Sequence, residues 1–225
     1  IKFAIDLLAV LLLALGIKGL SKVRSAREAN RLAAIAMILA AFGVLLHSRG
    51  TIGISRESWI WIICGTLVGG LLGAVTAKRV PMTAMPEVVA LFNGCGGMSS
   101  LLVALGVALF PPEDVAVAQI VRNFSIVVSL FVGAITFSGS IVAMAKLQGW
   151  LSTPAWTQSK ARHFFNILFA VLALIGGIYL SKDGQNGLFL IVIASSLLGI
   201  GVTLPIGGAD MPVVISLLNS YSGVA

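Results

Sequence analysis

Charged residues are scarce in this sequence of 225 residues: they make up 10% of it, against 58% hydrophobic residues. Soluble domains carry about 25% charged residues, so the composition excludes an ordinary water-soluble domain. It also excludes intrinsic disorder, because disordered chains are poor in apolar residues. With a mean hydropathy of +1.06, the chain is expected to be a polytopic membrane protein.

Cysteine and histidine are equally rare, with two of each. Cys64 and Cys95 lie in separate apolar stretches without a second cysteine at ligand spacing, so we predict no disulfide, no metal site and two buried thiols. His47 and His163 fall near predicted helix ends, whereas a proton-carrying histidine is expected deeper in the membrane. The sequence has no nucleophile–base pair and no paired carboxylates at helical spacing, so we expect no catalytic residue in this segment.

Long apolar runs predict an all-α fold, a polytopic transmembrane bundle with seven full spans and a truncated eighth. The runs are continuous instead of alternating, which argues against a transmembrane β-barrel. The predicted spans cover residues 3–20, 31–46, 59–79, 86–110, 115–146, 164–180, 188–204 and 212–225. Because the sequence lacks an initiator methionine and stops within an apolar run, we expect a fragment of a longer protein.

The net charge of +7 comes from Lys and Arg placed between the apolar runs. They do not form one basic face, which argues against nucleic-acid binding. Ten of them follow spans one, three, five and seven, and five lie on the other side. The positive-inside rule then predicts that the odd-numbered connections face the cytoplasm, or the matrix of a mitochondrion, and that the N-terminus lies outside.

Two segments of the chain repeat each other at an offset of 126 residues. Met85–Asn93 and Met211–Asn219 are identical at five of nine positions, including the Met-Pro pair and the final asparagine. Both segments start spans that run in the same direction. A parallel duplication explains this match, and so does independent use of proline in a first helical turn.

Polar side chains inside the predicted spans are the candidate functional residues, because such groups are costly in lipid unless they find a partner or water. Asn93 and Asn219 each lie about 10 Å into their spans at a rise of 1.5 Å per residue. Ser216 shares a span with Asn219, and Ser138 and Ser140 lie in the fifth span. Two interpretations stand: a hydrogen-bonded water path, or ordinary hydrogen bonds between packed helices.

Acids and glycines in the spans also have two interpretations each. Asp210 is either the N-cap of its helix or a contact for a domain outside the membrane. Glu87 is either a favourable acid in a first helical turn or a carboxylate at the mouth of a channel. Glycines in the third and fourth spans predict close packing between helices: Gly65, Gly69, Gly70, Gly73, Gly94, Gly96 and Gly97.

The segment GGADMPVVISLLNSYSG at residues 207–223 closely resembles a signature of the beta subunit of proton-translocating NAD(P) transhydrogenase. Further matching segments are AKRVPMTAMPEVVALFNG at 77–94, GAITFSGSIVAMAKLQG at 133–149, and Arg162-His163 followed by Asn166. The resemblance extends over nearly the whole chain.

The resemblance implies an enzyme that passes hydride between NAD(H) and NADP(H) while protons cross the membrane. Residues 1–225 then form the beta-subunit part of the proton-conducting domain. A last span and a C-terminal NADP(H)-binding domain lie outside this chain. No cofactor is expected to bind this segment, because NADP(H) and NAD(H) bind those other domains.

The same resemblance implies partners and a location. The partners are the alpha subunit with its NAD(H)-binding domain, the C-terminal NADP(H)-binding domain, membrane lipid, and a second copy of the assembled enzyme. The expected location is the cytoplasmic (inner) membrane of a bacterium, with the mitochondrial inner membrane as the alternative. No nucleic acid is expected.

Individual residues carry over from the family by position. Asn219 matches an asparagine of the proton path, and Ser140 matches a serine on a neighbouring helix. Asp210 and Glu87 match acids that couple the membrane part to the NADP(H) domain. Asn93 departs from the family, since several members have a histidine there, and an amide does not titrate near neutral pH. Either an alpha-subunit helix supplies the titrating group, or water carries the proton past Asn93.

Two other functions are weighed against this one. A secondary transporter would use the paired Met-Pro helices around a substrate site, although such sites usually have helices broken near charged residues at mid-membrane. A structural anchor subunit would need the polar residues only for packing.

Overall fold

The computed structural model describes residues 2–22, 24–51, 55–111, 119–182 and 186–223. In these residues the fold is helical and has no strand, which confirms the predicted class. The helices are α1 (Lys2–Leu20), α2 (Ala26–Thr51), α3 (Arg56–Arg79), α4 (Met85–Leu109), α5 (Gln119–Leu147), α6 (Ala161–Ser181), α7 (Asn186–Thr203) and α8 (Met211–Ser222). Seven of them, α1 to α7, are long and apolar enough to cross a membrane.

The second helix shows the largest difference between predicted and observed boundaries. It begins at Ala26, five residues before the predicted start at Arg31. The early residues Ala, Arg and Glu favour helix, so the helix extends beyond the apolar run that marks the membrane-crossing part. The predicted start of the fifth span, at residue 115, lies outside the described residues.

The chain divides into two compact units, residues 1–78 and 79–225. In the first unit α1 packs along α2 through small residues, and a Cβ at Gly19 would lie 2.7 Å from the Cβ of Ala29. No residue of α3 is buried. The prediction of close packing at its four glycines is wrong for the described chain, because a Cβ added at any of them would meet nothing within 4 Å.

Helix α5 is the centre of the second unit and contacts α4, α6, α7 and α8. It approaches α4 so closely that a Cβ at Gly97 would lie 2.7 Å from the backbone nitrogen of Phe137. Gly94 also faces α5, whereas a Cβ at Gly96 would meet only open space. Close packing is therefore confirmed at two of the three glycines predicted for this helix.

A small apolar cluster joins α4, α5 and α8 near the starts of α4 and α8. Its buried members are Ala90, Ala143, Met211 and Ile215, and the partly buried Met144, Leu147 and Ile206 pack against them. A second, larger cluster joins α4, α5, α6 and α7 around the buried Leu130 and Ile191. The first cluster fixes the helix pair that carries the candidate site.

The prediction that both cysteines are buried is wrong. Cys64 and Cys95 are free thiols exposed on the surface of the chain. Cys64 lies on α3, and Cys95 is turned away from α5 because its neighbour Gly94 faces that helix. A residue in an apolar segment can be buried within the chain or can face lipid or a partner, and the neighbouring sequence does not distinguish these cases. In the part of the chain described here, no group of His, Cys, Asp and Glu residues is arranged to hold a metal ion.

Candidate functional site

The two Met-Pro helices begin with the same backbone conformation. A single 3₁₀ turn precedes each of them, Met82–Ala84 before α4 and Gly208–Asp210 before α8. The residue before each turn is extended, with φ −68° and ψ 153° at Pro81 and φ −67° and ψ 153° at Gly207. Both prolines are in the second helical position, where no intrahelical donor is needed. The two segments that repeat in sequence thus also share a backbone conformation.

A groove of about 510 Å³ lies between these two helices. Its walls are Val89, Phe92 and Asn93 of α4 and Pro212, Ile215, Ser216 and Asn219 of α8. Because residues three and four apart share one helix face, each helix presents one side to the groove. The N-terminal half of α4 therefore lies beside α8, and three of the predicted path residues face one space.

A hydrogen bond fixes the amide on the α4 side. Asn93 Nδ2 donates to Ser140 Oγ of α5 at 2.9 Å. Ser140 is fully buried, and the two helices touch there because a Cβ at Gly94 would lie 3.2 Å from the Ser140 Cβ. Asn93 itself is half-buried. The bond thus holds a polar amide at the wall of the groove and satisfies a buried hydroxyl.

The polar groups on the α8 side are less constrained. Asn219 and Ser216 are exposed on the surface of the chain. Within the described chain the Asn219 amide has no hydrogen-bond partner, while the Ser216 carbonyl accepts a bond from Ser220 Oγ at 3.0 Å. The groove therefore has one fixed amide and one free amide on opposite walls.

Ser138 does not join this group. Two residues correspond to about 200° of rotation around a helix, so Ser138 and Ser140 point to opposite sides of α5. The Ser138 hydroxyl donates to the backbone oxygen of Ala134 at 2.9 Å and faces Gly199 of α7. Ser138 therefore belongs to the contact between α5 and α7.

The two acids lie at the starts of the same helices, at positions that do not correspond in the repeat. Asp210 is the N-cap residue of α8, but its side chain makes no capping hydrogen bond, and it is exposed. Glu87 is half-buried in the first turn of α4, where the helix dipole favours a negative charge. Each helix thus has one acid near its proline.

The histidines lie away from the groove or outside the description. His163 is exposed at the start of α6, where its Nε2 accepts a hydrogen bond from Arg162 Nε at 3.3 Å. The side chain of His47 lies outside the described residues. Sequence reasoning missed a different group, Lys146, which is 7% exposed near the end of α5 and was counted only as a topology residue.

Comparison with known proteins shows the family of the chain. Residues 2–225 match the family model described as NAD(P) transhydrogenase beta subunit. The chain belongs to this family. Two curated proteins of Rhodospirillum rubrum, each named NAD(P) transhydrogenase subunit beta, are 38% identical to it over 224 residues. The match covers 97% of this chain and 47% of each relative, so the chain spans about half the length of these relatives.

Membership in the NAD(P) transhydrogenase beta-subunit family confirms the resemblance drawn from residues 207–223 and the other segments. Seven apolar helices place the beta-subunit segment in a membrane.

Proposed function

We propose that this chain is the membrane part of a transhydrogenase that couples proton translocation to hydride transfer between NAD(H) and NADP(H). The family match and the seven apolar helices support this proposal. In this proposal the chain has no catalytic residue for hydride transfer. NAD(H) binds a domain of the alpha subunit, and NADP(H) binds a C-terminal domain of the full-length beta subunit.

The proton path runs through the groove between α4 and α8. The observation that carries this proposal is the hydrogen bond between Asn93 and Ser140 at the wall of a space that Ser216 and Asn219 also line. In this proposal water fills the groove, and the amides and the hydroxyl supply the two to four polar partners that each water needs. Ser138, which faces α7, supports the path only through helix packing.

The polar groups that line the groove are two amides and one hydroxyl, which do not titrate near neutral pH. The proton therefore crosses on water, or on a titrating group that an alpha-subunit helix brings to the groove. Moving one charge through 100 mV requires about 2.3 kcal/mol. That energy is within the range of about 1–3 kcal/mol typical of allosteric coupling between sites.

Asp210 and Glu87 couple the groove to the NADP(H) domain in this proposal. Asp210 is exposed and makes no capping bond, so its carboxylate is available to a docking domain. Glu87 lies at the start of the other groove helix. A domain that contacts both acids can thus shift the two walls of the groove relative to each other.

The assembled enzyme is proposed to be a homodimer of alpha and beta subunits in the bacterial cytoplasmic membrane, with the odd-numbered connections facing the cytoplasm. The groove then opens towards the cytoplasm, because α4 and α8 follow the third and seventh connections. Membrane lipid covers the exposed apolar faces, and nucleic acid has no part.

Two other functions make different predictions. A secondary transporter draws support from the matched backbone of the two Met-Pro helices, and it predicts uptake of a solute without added nucleotides. The groove has no charged side chain among its lining residues, which argues against a charged substrate. A structural anchor predicts that polar substitutions in the spans change stability alone.

The experiment is Asn219→Leu in the full-length enzyme, reconstituted into vesicles. We expect proton uptake coupled to transhydrogenation to be abolished, because an apolar side chain removes a polar wall of the groove, while the enzyme still assembles. Proton uptake is followed with a pH-sensitive dye during hydride transfer between added nucleotides.

Val213→Leu is the matched control, since Val213 is 73% exposed on the same helix and does not line the groove. It should leave proton uptake unchanged. Unchanged uptake in Asn219→Leu would count decisively against the proposed path.

A further inference from the structure

The carboxyl-terminal end of α7 lacks the backbone donor for one of its carbonyls, although the carbonyls of Ile200 and Thr203 accept from the N–H groups of Leu204 and Ile206. The helix ends at Thr203, and Pro205 lies four residues after Gly201. Because proline has no N–H, it cannot donate the bond that the Gly201 carbonyl would accept from residue 205 in a continuing helix. The carbonyls of Leu204 and Ile206 lie beyond the last turn. Buried carbonyls need hydrogen-bond partners, so donors must come from elsewhere in the fold.

Lys146 of α5 supplies two of these donors. Its Nζ donates to the carbonyl of Leu204 and, at 2.7 Å, to that of Ile206. It also donates to Thr153 Oγ1 at 2.7 Å. An ammonium group has three donors and no acceptor, so three neutral oxygens satisfy it. Its positive charge also lies at the negative end of the α7 dipole, which is favourable.

Asn166 of α6 supplies the remaining donor. Its Nδ2 donates to the Gly201 carbonyl at 3.4 Å, the carbonyl that Pro205 leaves without a backbone donor. Gly201 allows this approach because a Cβ there would clash with the Asn166 amide. Two neighbouring helices thus hold the end of a third.

The segment that Lys146 holds, residues 204–206 after α7, leads directly into α8. Ile206 packs against the cluster that contains Met211, and Met211, the first residue of α8, is fully buried. The turn Gly208–Asp210 connects the two. The position of residues 204–206 therefore determines where α8 begins and where Asn219 faces the groove.

We infer that Lys146 is a positioning residue that fixes the connection between α7 and α8, residues 204–210, and so holds Asp210 and Asn219 in place. This inference rests on the proposed function for its effect on proton coupling. Lys146 acts through the backbone of this connection.

The test compares backbone hydrogen exchange and proton coupling in the full-length enzyme carrying Lys146→Met, Lys146→Arg or Lys160→Met. Lys160→Met is the control, because Lys160 is exposed before α6. In Lys146→Met we expect exchange at residues 204–212 to rise by on the order of tenfold or more, since a local opening then costs less. Exchange at residues 83–89, around the start of α4, should stay unchanged.

We also expect fewer protons moved per hydride in Lys146→Met, and partial rescue of both readouts in Lys146→Arg, whose guanidinium also donates to carbonyls. Unchanged exchange at 204–212 would overturn the inference, and so would faster exchange with unchanged proton coupling in an enzyme whose proton uptake Asn219→Leu abolishes. If Asn219→Leu pumps normally, the proposed function fails, and the exchange comparison by itself still decides whether Lys146 positions the connection.

A second variant keeps the test decisive if Lys146→Met does not assemble. Lys146→Gln removes the positive charge and shortens the side chain by one atom, so it weakens the bonds to the Leu204 and Ile206 carbonyls but keeps a polar group at the buried site. Faster exchange at 204–212 in this variant supports the inference, and unchanged exchange overturns it.

Discussion

Helices α4 and α8 begin alike and are held differently. Each follows a 3₁₀ turn, each has proline in its second position, and each presents an asparagine to the same groove. The Asn93 amide is bonded to Ser140 of α5, whereas the Asn219 amide has no partner in the described chain. The same local sequence thus gives one fixed polar group and one free polar group, and the neighbouring helices make the difference.

The methionines before the two prolines differ in burial, and here α8 has the more firmly held residue. Met211 is fully buried, whereas Met85 is 41% exposed. The start of α8 is therefore anchored in the apolar cluster and its amide is free, while the start of α4 is open and its amide is fixed. We infer that α8 is held at its first residue, Met211, and that α4 is held at Asn93.

The largest effect is expected from Met211→Ala. It removes a fully buried side chain and should lower the free energy of unfolding by about 2–5 kcal/mol. Met85→Ala at the corresponding position should change it by only about 0.5 kcal/mol, as at other exposed sites. Unfolding of the full-length enzyme by denaturant in detergent measures both. Equal losses would show that the two helix starts are anchored in the same way.

A smaller stability effect is expected from the asparagines. Asn93→Leu removes the hydrogen bond to Ser140 and leaves a buried hydroxyl unpaired, so we expect a loss of about 1–2 kcal/mol. Asn219→Leu breaks no hydrogen bond in the described chain and should leave stability within about 0.5 kcal/mol of the parent. The same unfolding measurement compares them. A loss as large in Asn219→Leu would mean that its amide has a structural partner.

Much of the fold could be predicted from the sequence, because continuous apolar runs and Met-Pro pairs are local signals. The two groove asparagines were identified for the same reason, since a polar residue in an apolar run is conspicuous. The exposure of Cys64 and Cys95 could not be predicted, because a residue that faces lipid or a partner has the same apolar neighbours as one buried in the chain.

The role of Lys146 was also missed, for a different reason. Its acceptors at Leu204 and Ile206 are about 60 residues away in sequence, so no spacing pattern connects them. The local signal was Pro205, which leaves the Gly201 carbonyl without a donor. Helix geometry alone predicts that Ser138 and Ser140 face opposite sides of α5, because residues two apart lie on opposite faces.

Chemical accessibility of position 219 tests the central claim most directly. In the full-length enzyme with Cys64→Ala and Cys95→Ala, Asn219→Cys is compared with Leu218→Cys, which replaces a side chain that is 5% exposed. A charged, water-soluble thiol reagent reacts with the thiolate, which forms only where water reaches it. A hydrated groove predicts modification at 219 faster by on the order of tenfold or more than at 218. Equally slow modification at both positions would show that Asn219 lies in a dry contact and would contradict the proton path.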